Sequence, residues 1–341
     1  MKSIRLAVLT MVAAAAAFSG SVFAASSTTV QFAGESMAIG VGARPLGMGG
    51  TFAGIADDAS TSYWNAAGMT NIQGVEVSSV KLTKINDLDT KYSYVNLVYN
   101  TGVAGAFGLG WLRQAIGGIT LTDSIGNIIE QSTENADNVI YLAYAYPLTK
   151  GFSLGLGGKI MLGNYPALVN GETYATVNYM GGGFDLSAFF AAGEFVKELK
   201  GLQLGLNIQD VFTQISWDPI AGVTTGSKET VDPNFKPGIA YKIEMGSFEL
   251  TPAVDLDTKY QLIVHAGGEL WWKNNGVNMV GIRGGIKSWG GIPNGDAGGT
   301  LTQAMDWSMG ASIRWYFIGI DYAYVYNELT PVQYLSIVGK F

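Results

Sequence analysis

Apolar residues fall on every second position in segment after segment of this chain. Beyond the first residues, no stretch stays apolar for the roughly 20 positions that a membrane helix needs. In residues 202–209, Leu202, Leu204, Leu206 and Ile208 alternate with Gln203, Gly205, Asn207 and Gln209. Residues 152–160 set Phe152, Leu154, Leu156 and Ile160 against Ser153, Gly155, Gly157 and Lys159. Residues 248–255 set Phe248, Leu250 and Val254 against Glu249, Thr251 and Asp255, and residues 306–315 set Trp307, Met309, Ile313 and Trp315 against Asp306, Ser308, Ser312 and Arg314. Period two is the side-chain repeat of a β-strand with two unlike faces.

Composition says what the two faces meet. Only 14% of residues are charged, against about 25% in an average soluble domain. Glycine occurs 47 times and aromatic residues make up 12%. A chain this apolar without a spanning helix has one other way to satisfy every backbone group in lipid, a closed β-barrel. The expected fold is therefore all-β, a transmembrane antiparallel barrel with lipid-facing apolar residues and small or polar lumenal ones.

The alternation predicts strands over 75–84, 91–100, 103–113, 137–146, 152–163, 174–189, 202–211, 235–244, 247–256, 262–272, 277–287, 304–315, 317–326 and 333–341. That makes 14, an even number. Even-numbered connections are tight: Thr101-Gly102, Pro147 to Gly151, Met245-Gly246, Lys273 to Asn275 and the Tyr316 region. The third, seventh and eleventh are long (114–136, 212–234, 288–303), as expected of extracellular loops facing short periplasmic turns. The sixth, 190–201, breaks the rule and carries a helical turn at Glu194 to Lys200. Residues 137–146 are apolar on both faces, which fits either a hydrophobic lumen wall or contact with a segment inside the lumen.

The ends of the chain bear on location. Lys2 and Arg5, the apolar run from Leu6 to Phe18 and the small residues up to Ala24 have the layout of a cleaved signal peptide, 1–24. Losing Lys2 and Arg5 from 20 basic side chains, against 27 acidic ones, takes the formal charge from −7 to about −9, which argues against nucleic acid or an anionic lipid surface as the main partner. Cysteine is absent, so no disulfide or thiolate metal site is available. No metal or other cofactor is expected. The last strand ends on Phe341, the expected signal for barrel-assembly machinery, and the expected location is the bacterial outer membrane.

Residues 42–69, GARPLGMGGTFAGIADDASTSYWNAAGM, precede the first strand. Gly42-Ala43-Arg44, Gly47-Met48-Gly49-Gly50, Ala56-Asp57-Asp58-Ala59 and Trp64-Asn65-Ala66-Ala67-Gly68 resemble the amino-terminal segment of the PorV/PorQ outer-membrane family, distant relatives of the FadL long-chain fatty-acid channel. Ala66 stands where that family usually has proline, whose ring would fix the turn after Asn65. Weaker matches lie at Gly267 to Trp272, Ile282 to Gly285 and Ile320 to Tyr326. The resemblance implies a FadL-like barrel, 75–341, whose segment 25–74 folds back as a hatch inside the lumen. Such a glycine-rich segment can pack closely on inward glycines, with Gly108, Gly110, Gly155 and Gly157 as the expected contacts.

The expected hatch-motif residues are Gly42, Arg44, Gly47, Gly49, Gly50, Asp57, Asp58, Trp64, Asn65 and Gly68. Inward parity gives a mixed set of charges: Lys159, Lys236, Lys242, Glu249, Asp255, Glu269, Arg283, Asp306, Arg314 and Asp321. Mixed signs suit a network that seals a lumen better than an ion-selective pore. His265, Glu269, Arg283, Arg314 and Asp321 are the expected lumenal polar network, and Arg44, Asp57, Asp58, Arg283 and Arg314 the expected hatch anchors. Gly47 to Gly50 lacks the preceding strand and closing lysine of a phosphate loop. His265 has only Ser288 and Ser308 on nearby segments as nucleophile partners, so a polar-network histidine is the stronger reading and no enzymatic activity is expected. The leading expectation is passive uptake of hydrophobic small molecules. The alternative is a PorV-like factor that docks secreted surface proteins through loops 212–234 and 288–303.

Overall fold

The computed structural model describes residues 37, 39–83, 89–169, 171, 173–219, 226–259, 262–288, 305–326 and 331–341. The expected signal peptide, and residues 25–36 of the expected hatch, lie outside them. No helix among the described residues is long and apolar enough to cross a membrane.

The wall comprises β1 (Gly74–Thr83), β2 (Asp89–Asn100), β3 (Ala106–Thr122), β4 (Ile128–Thr149), β5 (Phe152–Val169), β6 (Thr173–Ala191), β7 (Leu202–Trp217), β8 (Asn234–Tyr241), β9 (Phe248–Asp257), β10 (Ile263–Asn274), β11 (Val277–Ser288), β12 (Met305–Trp315), β13 (Ile318–Tyr326) and β14 (Val332–Lys340). Lys228–Thr230 pairs with β7 and Ile243–Met245 with β9, extending the track of β8 at either end. Each strand pairs antiparallel with its sequence neighbours, and β14 pairs with β1 in the register Ser79↔Ile337, closing a barrel of 14 strands. Closure leaves no edge of unpaired backbone groups, the condition a wall surrounded by lipid must meet.

The outer face carries the apolar half of the alternation. Leu154, Leu156, Leu204, Leu206, Ile282 and Ile313 are exposed, while Ser153, Asn207 and Arg283 on the same strands are buried inward. Exposed aromatics gather at the end that holds the even-numbered turns: Tyr99, Phe107, Tyr144, Tyr146, Phe248, Trp272, Trp315 and Phe341. Such a girdle suits the membrane–water boundary. There Phe341 and Val75 exchange backbone hydrogen bonds of 2.8 and 2.9 Å, and the Phe341 ring packs on Phe317 at 5.7 Å.

The expected third loop is mostly sheet. β3 and β4 run on to Thr122 and Ile128 and leave only a short turn capped by Asp123, whose Oδ1 accepts from the Ile125 and Asn127 amides. A transmembrane strand needs about 9–11 residues, whereas β4 has 22, so its hairpin stands clear of the bilayer. With no lipid to face there, Ile128 to Ala136 carries no alternating apolar mark. The expected seventh loop is also partly strand, since β7 continues to Trp217. Opposite the break at 231–233, β7 itself bulges, with Asp210 and Phe212 at φ 63° and 54°, and Phe212 turns fully outward. The eleventh loop, 288–303, lies outside the described residues apart from Ser288. The sixth connection contains two short 3₁₀ turns, Ala192–Glu194 and Lys197–Leu199.

Residues 40–72 run inside the barrel. They contain α1 (Ala43–Leu46), α2 (Thr61–Trp64) and a 3₁₀ turn, Ala66–Asn71. Their order follows the wall. α1 packs on β12 to β14, Met48 and Gly49 on β10 and β11, and Phe52 to Gly54 on β7 to β9. α2 then packs on β3 and β4, and the 3₁₀ turn on β2 to β6, before the chain enters β1.

Candidate functional site

The lumenal segment is held to the wall by three unlike sets of contacts. The first is electrostatic. The buried Arg44 guanidinium donates through Nε to Glu269 Oε2 at 3.0 Å and through Nη2 to Glu269 Oε1, a bidentate pairing between the segment and β10. Its Nη1 donates to Asp57 Oδ1 at 2.6 Å and Asp58 Oδ2 at 3.0 Å. Lys242, just beyond β8, reaches Asp57 Oδ2 at 2.8 Å. On the other side of Glu269, Arg283 Nε lies 3.6 Å away, Arg283 also approaches Asp321 at 3.8 Å, and Arg314 closes on Asp321 at 2.8 Å. Alternating signs thus run from Lys242 to Arg314, with the Trp271 ring beneath Arg44, Arg283 and Arg314 at 5.2–5.8 Å.

Within the segment, burial alone would raise the Asp57 pKa. Arg44 and Lys242 more than offset it and hold the carboxyl well below the usual range. Burial would likewise lower Arg44, and Asp57, Glu269 and Asp58 reverse that, so the guanidinium stays charged. Asp57 also lines an open cleft with Gln73, Glu76 and Lys340, while Lys242 lines another of about 590 Å³ with Gln203, Tyr241 and Glu249. The network meets water at the end of the barrel that holds the short turns.

The second set is steric, a cradle of glycines. A Cβ at Gly205 would sit 1.8 Å from Ala53 O, one at Gly267 2.3 Å from Met48 O, and one at Gly285 2.2 Å from Met48 C. Gly155 stands 2.4 Å from Ala67 N and Gly108 2.7 Å from Met69 Sδ on the same basis. At Gly155, Gly205, Gly267 and Gly285 backbone lies on backbone, and at Gly108 the Met69 side chain lies on backbone. Of the four glycines expected as contacts, Gly108 and Gly155 meet the segment, whereas Gly110 and Gly157 make room for the wall's own Tyr94 and Asp185. In the motif, Gly42, Gly49 and Gly50 adopt φ of 72–85°, which a side chain would strain, while Gly47 lies against Arg283 and Gly68 against Ala56.

Buried side chains tying wall to segment backbone form the third set. Asp255 Oδ2 accepts from the Phe52 and Ala53 amides at 2.6 and 2.7 Å, Ser308 Oγ from Gly49 N at 2.8 Å, Ser336 Oγ from Ala43 N at 2.8 Å, and Glu76 Oε1 from Ala59 N at 2.9 Å. These acceptors replace the ladder partners that an irregular segment inside a barrel cannot find. Asn207 Nδ2 donates to Trp64 O at 2.9 Å. Parity in the sequence turns Asp255, Ser308 and Asn207 inward, with Ser308 expected only as a candidate partner of His265; Ser336 and Glu76 are not among the expected site residues.

The structure therefore brings Arg44, Asp57, Asp58, Glu269, Arg283, Arg314 and Asp321 into one network and leaves His265 outside it. His265 Nδ1 lies 2.6 Å from Gly49 O, so it carries the proton and donates. Ser308 receives the Gly49 amide and Ser288 bonds the Val264 backbone, and among the described residues neither serine forms a hydrogen bond with His265. No cluster of His, Asp or Glu among these residues is arranged to hold a metal ion. Lys159 sits apart, between Asp185 and Asp210.

Aromatic rings fill the opposite half of the lumen. Tyr63 of α2 meets Tyr141 edge-on at 5.8 Å, and Tyr141 meets Tyr94 at 6.1 Å. Tyr165, Tyr179 and Trp217 form a second group with centroids 5.0–6.1 Å apart. Trp64 donates through its indole N–H to Val41 O at 2.8 Å, lies beneath Lys236 Nζ at 5.4 Å, and is followed by Asn65, whose Nδ2 reaches Ala53 O at 2.8 Å. The two-faced apolarity of 137–146 is explained here: Val139, Tyr141 and Ala143 pack inward, in apolar clusters that include Tyr63, Ala66 and Met69 of the segment.

No family model matches the sequence, and no curated protein matches it. Solved structures do match in fold. The toluene transporter TbuX of Ralstonia pickettii superposes with a TM-score of 0.57 at 14% identity, covering 89% of this chain and 98% of that one. The monoaromatic hydrocarbon channel CymD gives 0.60 at 14% identity over 89% and 98%. A FadL homologue of Pseudomonas aeruginosa gives 0.55 at 12% identity over 87% and 97%. At such identities the likeness speaks for architecture, and in architecture this chain is a FadL-like barrel.

Proposed function

We propose that the protein is an outer-membrane channel for passive uptake of hydrophobic small molecules. The observation that carries this reading is the aromatic half of the lumen, where Tyr92, Tyr94, Tyr141, Tyr179 and Trp217 line the wall beside Tyr63 and Trp64 of the segment. A channel for ions gains nothing from such a lining, whereas rings that meet edge to face offer an apolar solute both burial and directional contact. The fold shared with toluene and monoaromatic hydrocarbon channels supports the same substrate class.

On this reading the segment 25–74 acts as a hatch, its charged half fixed to β8–β13 and its aromatic half in contact with the solute. Export through a cleaved peptide, residues 1–24, and reading of Phe341 by barrel-assembly machinery complete the proposal, with outer-membrane lipid as the surround. The finer kinship to the PorV/PorQ branch rests on the motif residues 42–69.

The test is intrinsic tryptophan fluorescence of the refolded barrel, titrated with a long-chain fatty acid and with toluene. A saturable change that weakens in Trp64→Phe supports uptake past the hatch. A folded barrel that responds to neither solute overturns the reading.

A further inference from the structure

The connection 192–201 is the long one among the even-numbered turns, and uptake does not explain it. Its path is defined at both ends: Ala191 N donates to Gly151 O at 2.7 Å, and Lys242 N to Gly201 O at 2.8 Å. Between them Phe195 N and Val196 N donate to Ala192 O, Leu199 N to Val196 O and Lys200 N to Lys197 O, all within 3.2 Å. A Cβ at Gly193 would lie 2.8 Å from Lys200 Cα, so the two turns fold directly onto each other. The segment is compact and internally hydrogen-bonded.

Yet its apolar side chains point away from the protein. Phe195, Val196 and Leu199 are 51%, 44% and 37% exposed. They continue a surface already assigned to lipid. β6 turns Phe184 and Leu186 outward and ends near Phe190, which meets Phe152 edge-on at 6.2 Å; Phe195 stacks on Phe190 at 4.8 Å and carries the column past the end of the strand. Lysines flank the patch. Lys150 pairs with Glu194 at 2.9 Å and Lys200 with Glu244 at 3.1 Å, while Lys197 and Glu198 are both exposed on the second turn, so the charges around the patch balance. Exposed apolar side chains that continue the lipid face, rimmed by paired charges and long lysine stems, are the arrangement of an element lying in a bilayer interface.

We propose that residues 192–201 form an interfacial foot that binds phospholipid in the periplasmic leaflet. Phe195, Val196 and Leu199 insert beside the acyl chains, and Lys197 and Lys200 lie at phosphate level. The 590 Å³ cleft that this connection shares with Lys242 and Glu249 then opens at the headgroup layer rather than into bulk periplasm.

Because the chain has no cysteine, single labels can be placed cleanly. Phe195→Cys and Leu199→Cys would carry a spin label in barrels reconstituted in phosphatidylethanolamine–phosphatidylglycerol vesicles. Leu156→Cys on the lipid face and Ile125→Cys at the exposed β3–β4 turn give the lipid and water references, and heat-modifiable gel mobility confirms folding of each variant. Dissolved oxygen and a water-soluble nickel chelate report the two phases. The proposal expects oxygen-to-nickel accessibility ratios at 195 and 199 within about threefold of that at 156, and about tenfold or more above that at 125. Ratios at both positions equal to that at 125 overturn it.

Discussion

Arg44 and Glu269 lie 225 residues apart in sequence, yet the guanidinium of one grips the carboxylate of the other through two hydrogen bonds, one of 3.0 Å, deep inside the barrel. The pair joins the lumenal segment to β10, and both side chains are buried. Removing one partner leaves the other charged and buried, which costs far more than the net worth of the intact pair.

Glu269→Met is expected to destabilise the folded barrel by about 3 kcal/mol. Arg44→Met combined with Glu269→Met should cost less than the two single changes summed. Denaturant unfolding of the four proteins checks this, and strict additivity would show that the pair carries no coupling.

Arg283 stands between two carboxylates, Glu269 at 3.6 Å and Asp321 at 3.8 Å. Arg283→Glu sets three acidic groups side by side and should loosen the floor of the lumen. Planar-bilayer recording is expected to show ion conductance about tenfold above that of the parent. Unchanged leakage would remove Arg283 from the anchor.

Neighbouring glycines on β11 give a matched comparison. A Cβ at Gly285 would sit 2.2 Å from Met48 C, while one at Gly284 finds nothing nearer than Ser308 O at 3.6 Å. Gly285→Ala should cost about 1–3 kcal/mol by overpacking, and Gly284→Ala almost nothing. Equal losses of unfolding midpoint would mean that the cradle does not bear on the segment.

Asp57 sets the acid limit of the anchor. Its folded pKa lies below its unfolded value, so its stabilisation is complete above about pH 4 and fades as the pH falls through the depressed folded value. The stability gap between the parent and Asp57→Asn should stay constant from about pH 7 to 5 and close only in stronger acid. A gap that closes between pH 7 and 5 would contradict the Arg44 and Lys242 pairing.

The barrel was legible because lipid imposes its own record on the sequence. Leu202 to Ile208 had to alternate, and they did so where the bilayer lies. Above the bilayer that record stops, which is why Ile128 to Ala136 reads as loop while folding as strand. Inward parity also revealed Glu269, Arg283, Arg314 and Asp321, but not which of them pair, since cross-strand register is set by the whole closed sheet. The glycine cradle was the least legible part. Parity with Arg283 turns Gly285 inward and Gly284 outward, but only the course of Met48 and Gly49 between β10 and β11 shows that Gly285 meets backbone.

That course, past β14 and around to β2, has a mechanical consequence. The lumenal segment is a hoop rather than a cork, since its attachments are spread around the circumference. A cork leaves its bottle in one movement. A hoop pressed against a wall loosens by peeling, one attachment after another, so on the proposed uptake reading any opening will be local, a lifted arc with the remainder still fixed.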